Sequence, residues 1–207
     1  LALPGSGTAA AAGGPAIGPA VGQAVGADRW FVANAGQWSA EVSHALLGAD
    51  TTSWLLADGF AQRFVRWRPA GGGGGPRQSE GTVVRTRFLG GGGRAWAEAP
   101  CAVPFRFLRG DRAHSATASE RVRIAALLPG VDLVARTDTH AGRTAFVYDL
   151  HLDAGVDLQQ IVACCEGVDQ LAVDGDGSLV MMAPLPDGGR VELRQTPPVA
   201  WQLTPSG

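Results

Sequence analysis

The 207-residue chain contains no lysine, and all 17 of its basic residues are arginine. Charged residues make up only 17 % of it, below the roughly 25 % of an average soluble domain. A net charge of −2 and a pI near 6.1 argue against a nucleic-acid binder, which carries a basic stripe. Three cysteines are too few for a disulfide scaffold, and the odd number leaves at least one free thiol. No apolar run reaches the ~18 residues that a membrane-spanning helix needs. The one asparagine, Asn34, is followed by Ala35 and Gly36, so there is no N-glycosylation sequon. Helix signals are equally sparse, because Gly and Pro interrupt most windows and apolar spacings of three and four are rare. The exception is one turn over Leu158–Ile161 with Asp157 as its N-cap.

Gly and hydrophobic residues are abundant. Thirty Gly and 13 Pro imply many turns, and 45 % hydrophobic residues suffice for a core at this length. Residues 1–28 are mostly Ala, Gly and Pro and bury too little side chain to offset ordering entropy, so they are expected to be flexible. They read either as a secretory-signal remnant, with the small-residue run Thr8–Ala12 near a cleavage site, or as a low-complexity linker. Residues 29–205 are expected to form one domain.

That domain repeats with a period of two. Phe146, Tyr148, Leu150 and Leu152 fall on one face of a strand, with Val147, Asp149 and His151 on the other. Val84, Thr86 and Phe88 oppose Val83, Arg85 and Arg87. Val122 and Ile124 alternate with Arg121 and Arg123, and Val131, Leu133 and Ala135 with Asp132, Val134 and Arg136. One dry and one wet face is the pattern of an antiparallel sheet. The Ile161–Cys165 run has no charge and is expected to be covered on both faces. Asp-Gly turns at Asp58-Gly59, Asp174-Gly175-Asp176-Gly177 and Asp187-Gly188 mark hairpins, the last two joining a three-strand meander. Val199–Leu203 is expected to add a strand after Pro197-Pro198. The glycine tracts 71–75 and 90–93 read as surface loops. The expected fold is all-β, an antiparallel β-sandwich or distorted barrel of about ten to twelve short strands.

The series Trp30–Trp38, Ala57-Asp58-Gly59, Val83–Phe88, Leu128–Val134, Phe146–Leu150, Asp174–Leu179, Leu193-Arg194-Gln195 and Pro198–Gln202 resembles a bacterial domain of unknown function. That domain lies N-terminal to SBBP-type β-propeller repeats in secreted and cell-surface proteins. The shared order carries the resemblance, over roughly residues 29–204. It implies an exported, all-β module with an adjacent propeller and no established enzyme activity, and it brings no catalytic residue with it.

Each motif has a structural and a functional reading. Asn34, Gly36, Gln37 and Trp38 read as a turn plugged by an indole, or as a ligand platform. The Asp174–Ser178 segment reads as a hairpin turn rather than a calcium loop, which needs more oxygen ligands. Cys101 could pair with Cys164 or Cys165 in an exported protein. Asp132, Asp149, His151 and Ser115 form a conceivable hydrolase set but lack a nucleophile elbow, so solvated polar faces are preferred. The outward arginines, Arg85 and Arg87 above all, suit edge protection or contact with an acidic glycan. Exposed indoles at Trp67, Trp96 and Trp201 would suit carbohydrate. The expected role is therefore a non-enzymatic structural or adhesive module. It would have no cofactor, metal, nucleic acid or membrane span, and its partner would be a propeller or a surface glycan. A carbohydrate-binding module and a hydrolase are the alternatives.

Overall fold

The computed structural model describes residues 29–68, 78–102, 104–109, 112–140 and 143–202. The expectations for residues 1–28 and for the glycine tract 71–75 lie outside them. Fifteen strands form among the described residues, more than the sequence pattern suggests. Short pieces such as β1 (Phe31–Ala33) and β2 (His44–Leu47) are too brief to show a period. They are followed by β3 (Thr51–Leu56), β4 (Gly59–Arg68), β5 (Gln78–Phe88), β6 (Arg94–Pro100), β7 (Phe105–Arg109) and β8 (Arg112–Ala116). The second half holds β9 (Ala118–Leu128), β10 (Val131–His140), β11 (Arg143–Leu152), β12 (Ala163–Glu166), β13 (Gln170–Val173), β14 (Leu179–Pro184) and β15 (Arg190–Gln195). The expected turn is there, as a 3-10 turn over Leu158–Gln160 in which the Asp157 carboxylate accepts from the Gln159 N–H.

Every pairing is antiparallel. The main sheet runs β11-β10-β9-β1-β2-β3-β4-β5-β12, and β6 also pairs with β9. The tight turn between β3 and β4 needs Gly59, whose φ is +150° and whose added Cβ would sit 2.2 Å from the Thr86 carbonyl oxygen. The sheet curls until distant strands meet. Phe60 of β4 lies 5.0 Å from both Phe146 and Tyr148 of β11, centroid to centroid. Phe31, Leu55, Ile124, Val131 and Leu133 fill the space enclosed, each contributing about 1.5–3 kcal/mol by leaving water.

The meander β13-β14-β15 covers the rest of the concave face. Met181, Ala183 and Leu193 pack there on Val84, with Phe64 and Cys165 alongside. Gln195 Nε2 donates to the Tyr148 hydroxyl at 2.8 Å, tying the end of the meander to β11. On the outer side, Trp38 bridges two further clusters, one around Trp54 and Leu56 and one around Val32 and Ala116.

Two expectations change, and one open alternative is resolved. Pro197–Gln202 joins no sheet and is exposed throughout, because prolines at 197 and 198 supply no backbone donors. β12 is an edge strand covered on one face only, with Val162 and Cys164 exposed. The three cysteines are free, since Cys101 packs by Val32 and Ala116 while Cys165 packs by Val84, in separate clusters.

Candidate functional site

The outward faces of β6, β9, β10 and β11 carry the most polar constellation. Cross-strand register sets Trp96 opposite Arg123, Arg123 opposite Val134, and Val134 opposite Asp149. One step along, Asp132 faces His151. The β9–β10 register breaks there: Leu128 pairs with Val131 but Ile124 with Leu133, so β9 spends four residues where β10 spends two. Within that bulge Ala126 takes φ +49°, and its N–H donates to Asp132 Oδ1 at 2.8 Å.

Arg123 is held between two carboxylates, donating to Glu98 Oε1 at 2.6 Å and to Asp132 Oδ2 at 3.1 Å. The Glu98 hydrogen bond raises the guanidinium pKa above its ordinary value. Arg136 does the same with Asp149, at 2.6 Å. A shallow cavity of about 380 Å³ opens beside these groups, lined by Arg123, Gly130, Asp132, His151 and Asp153 among others. Among the described residues no hydrogen bond joins His151 to Asp132 or Asp149. Ser115 lies on β8, in the separate β7–β8 hairpin. The fold thus brings Asp132 and His151 together but commits Asp149 to Arg136 and leaves Ser115 elsewhere. The site offers an indole opposite an arginine whose charge Glu98 and Asp132 already meet.

Arg85 and Arg87 occupy the outward face of β5. Arg87 Nε donates to Asp58 Oδ2 at 2.7 Å and its Nη1 to Glu166 at 3.2 Å; Arg85 reaches Asp58 at 3.2 Å and Glu41 at 3.8 Å. Burial pushes the Asp58 carboxyl pKa up, but hydrogen bonds from Arg87 and Arg85 outweigh it and hold the pKa below the usual range. Trp67 is 50 % exposed on β4, with Nε1 donating to Asp50 at 3.1 Å. Trp96 is 47 % exposed on β6, and Trp201 is 69 % exposed beyond β15. The three indoles sit on separate elements.

The Asn34–Trp38 segment is wired to the main chain. Asn34 Nδ2 donates to the carbonyls of Ser39 at 2.8 Å and Val42 at 2.9 Å, while its Oδ1 accepts from Gly36 and Trp38 N–H groups. Gln37 Nε2 donates to the Ala33 carbonyl at 2.7 Å, and Gly36 takes φ +99°. The Trp38 ring meets Phe107 edge-on at 5.7 Å. In the Asp174–Ser178 turn, both Asp carboxylates face Arg194, at 2.6 and 3.2 Å.

Two participants escaped the sequence reading. Glu98 is invisible as a partner of Arg123 until β6 is placed beside β9. His44 is buried on β2 with Nδ1 unpartnered among the described residues, and burial lowers its pKa to about 4. Its apolar neighbours Ala45, Leu46 and Leu47 were the available signal. No helix of the described residues is long and apolar enough to cross a membrane.

Comparison with curated proteins and with solved structures gave no match. A family model described as a domain of unknown function (DUF7948) matches residues 31–207, and the chain belongs to that family.

Proposed function

We propose that this domain is a non-enzymatic structural and adhesive module of an exported or cell-surface bacterial protein, the kind of domain that precedes a propeller of SBBP-type repeats. The observation that carries the reading is Trp96. Its indole is half in water beside Arg123, whose charge Glu98 and Asp132 already neutralise. An exposed aromatic ring on a rigid sheet supplies contact area with little entropy to lose, and matched charges favour contact over chemistry. The same indole, paired across strands with Arg123, which lines a cavity with Asp132, His151 and Asp153, favours a carbohydrate as second reading.

The test has two parts. The protein, tagged and expressed in a bacterial host with its own upstream sequence, should be removed from intact cells by external protease. Purified protein should co-sediment with isolated cell-envelope polysaccharide or with a separately expressed SBBP propeller, and Trp96→Ala should weaken that by at least about tenfold. Retention inside cells, or equal co-sedimentation by Trp96→Ala, overturns the reading. Polysaccharide alone as the bound species selects the carbohydrate-binding form of it.

A further inference from the structure

The strand edges of this molecule are not equally defended. A free edge offers unpaired N–H and C=O groups, and proteins blunt it with short strands, Pro, charge or irregular backbone. β6 carries Arg94, Glu98, Ala99 at φ +52° and Pro100. β12 and β13 have four residues each, and β15 alternates Arg190, Glu192 and Arg194. β11 has none of these over Ala145–Leu152. It keeps unbroken register with β10, contains no Pro or Arg in that span, and its one carboxylate, Asp149, is bound by Arg136. Among the described residues its other edge pairs with no strand.

The direction of the free groups follows from one bond. The Asp153 N–H donates to the Gly130 carbonyl at 2.9 Å, toward β10. Backbone groups alternate sides along a strand. Hence Phe146, Tyr148, Leu150 and Leu152 aim their N–H and C=O groups away from β10. The side chains of Phe146, Tyr148 and Leu150 pack on the core but remain only partly buried, so an added strand would also cover them.

The same chain carries a segment that joins no sheet. Pro198–Gln202 makes no backbone hydrogen bond among the described residues, bears no charge, and alternates Val199 and Trp201, 80 % and 69 % exposed. Its own β11 is not where it goes. Gln195 is pinned at Tyr148, and the chain then passes Gly177, where an added Cβ would touch the Pro197 ring at 3.5 Å. Pro197 therefore lies over the β13–β14 turn. We propose that β11 accepts the Pro198–Gln202 segment of a second copy as an added strand, and that two copies exchange these segments reciprocally. The uncharged segment meets no like charge on β11, and a two-fold exchange closes both edges.

Sedimentation equilibrium at about 100 µM tests this on the full chain, on a chain ending at Thr196, and on Leu150→Pro. The proline removes an outward N–H while leaving the β10 ladder intact. The full chain should dimerise, and both variants should do so at least tenfold more weakly. Because Leu150→Pro also touches the core, hydrogen exchange gives a second reading. The amides of Phe146, Tyr148 and Leu150 should exchange slowly in the full chain and fast in the truncated one. A monomeric full chain, dimerisation unaffected by truncation, or equal exchange at these amides overturns the proposal.

Discussion

Asp58, in the turn between β3 and β4, accepts a 2.7 Å hydrogen bond from Arg87 on β5, joining that turn to the strand paired with β4 on its other side. Arg85 contacts the same carboxylate, so one acid bridges two bases. Asp58→Ala should cost about 1–2 kcal/mol, a charged hydrogen bond discounted for partial exposure. Because the folded-state pKa is lowered, this stability is present above the unfolded carboxylate value near ~3.9. It is lost as pH falls through the folded value. Thermal melts of wild type and Asp58→Ala should differ at neutral pH and converge in strong acid.

His44 gives a second pH dependence, at higher pH. Burial holds its pKa at about 4 in the folded protein, against ~6.5 unfolded. Lowering the pH from about 6.5 toward 4 therefore favours the unfolded state, which binds the proton first. The loss across that window is about 3 kcal/mol. Urea titrations in this range should show falling stability in wild type and a flatter profile in His44→Leu, which keeps the buried volume without the titrating ring.

Asn34 is irreplaceable by its isostere. Its amide donates to the Ser39 and Val42 carbonyls while its oxygen accepts from Gly36 and Trp38. Asn34→Ala should lose about 2–3 kcal/mol. Asn34→Asp should be worse at neutral pH, because it sets a carboxylate against two carbonyl oxygens. A denaturation series that ranks Asp above Ala would show that acceptance from the N–H groups outweighs donation.

Ala126 pays for its place in the β9 bulge with a left-handed backbone, φ +49°. Glycine takes that conformation without the Cβ clash and keeps the N–H that binds Asp132. Ala126→Gly should therefore stabilise by about 0.5–1 kcal/mol, whereas an Ala→Gly change elsewhere in β9 should destabilise. Chemical denaturation of Ala126→Gly beside Ala125→Gly separates the two cases.

The curled antiparallel sheet was legible because its strands alternate cleanly. Val84, Thr86 and Phe88 turn inward and Arg85 and Arg87 outward, as their spacing demands. The Asp-Gly turns announced β3–β4 and the terminal meander for the same local reason. Pairings between distant segments leave no such mark. Nothing near Glu98 indicates that β6 lies beside β9, so the Glu98–Arg123–Asp132 chain was unreadable although Arg123 and Asp132 were visibly outward. Pro198–Gln202 alternates like a strand, yet alternation speaks only of side chains, and its backbone has no described partner. Whether the cysteines pair was open for the same reason, since it depends on which clusters Cys101 and Cys165 enter.

The adjacent thiols of β12 should differ in reactivity for that positional reason. Cys164 projects outward and is exposed, whereas Cys165 turns in toward Val84 and Met181. Burial raises the Cys165 pKa, more than the hydrogen bond with Thr86 lowers it. The thiolate is the species that attacks an alkylating reagent. Limiting iodoacetamide at neutral pH should therefore modify Cys164 well before Cys165, by about tenfold or more in rate, as read from peptide masses over time. Denaturant should erase the difference, because both residues then have the same solvent and the same unfolded pKa. Equal rates in the native protein would mean that β12 leaves the sheet readily. The four-residue strand, held to β5 only through Phe88–Arg85, would then be the first part of the domain to open.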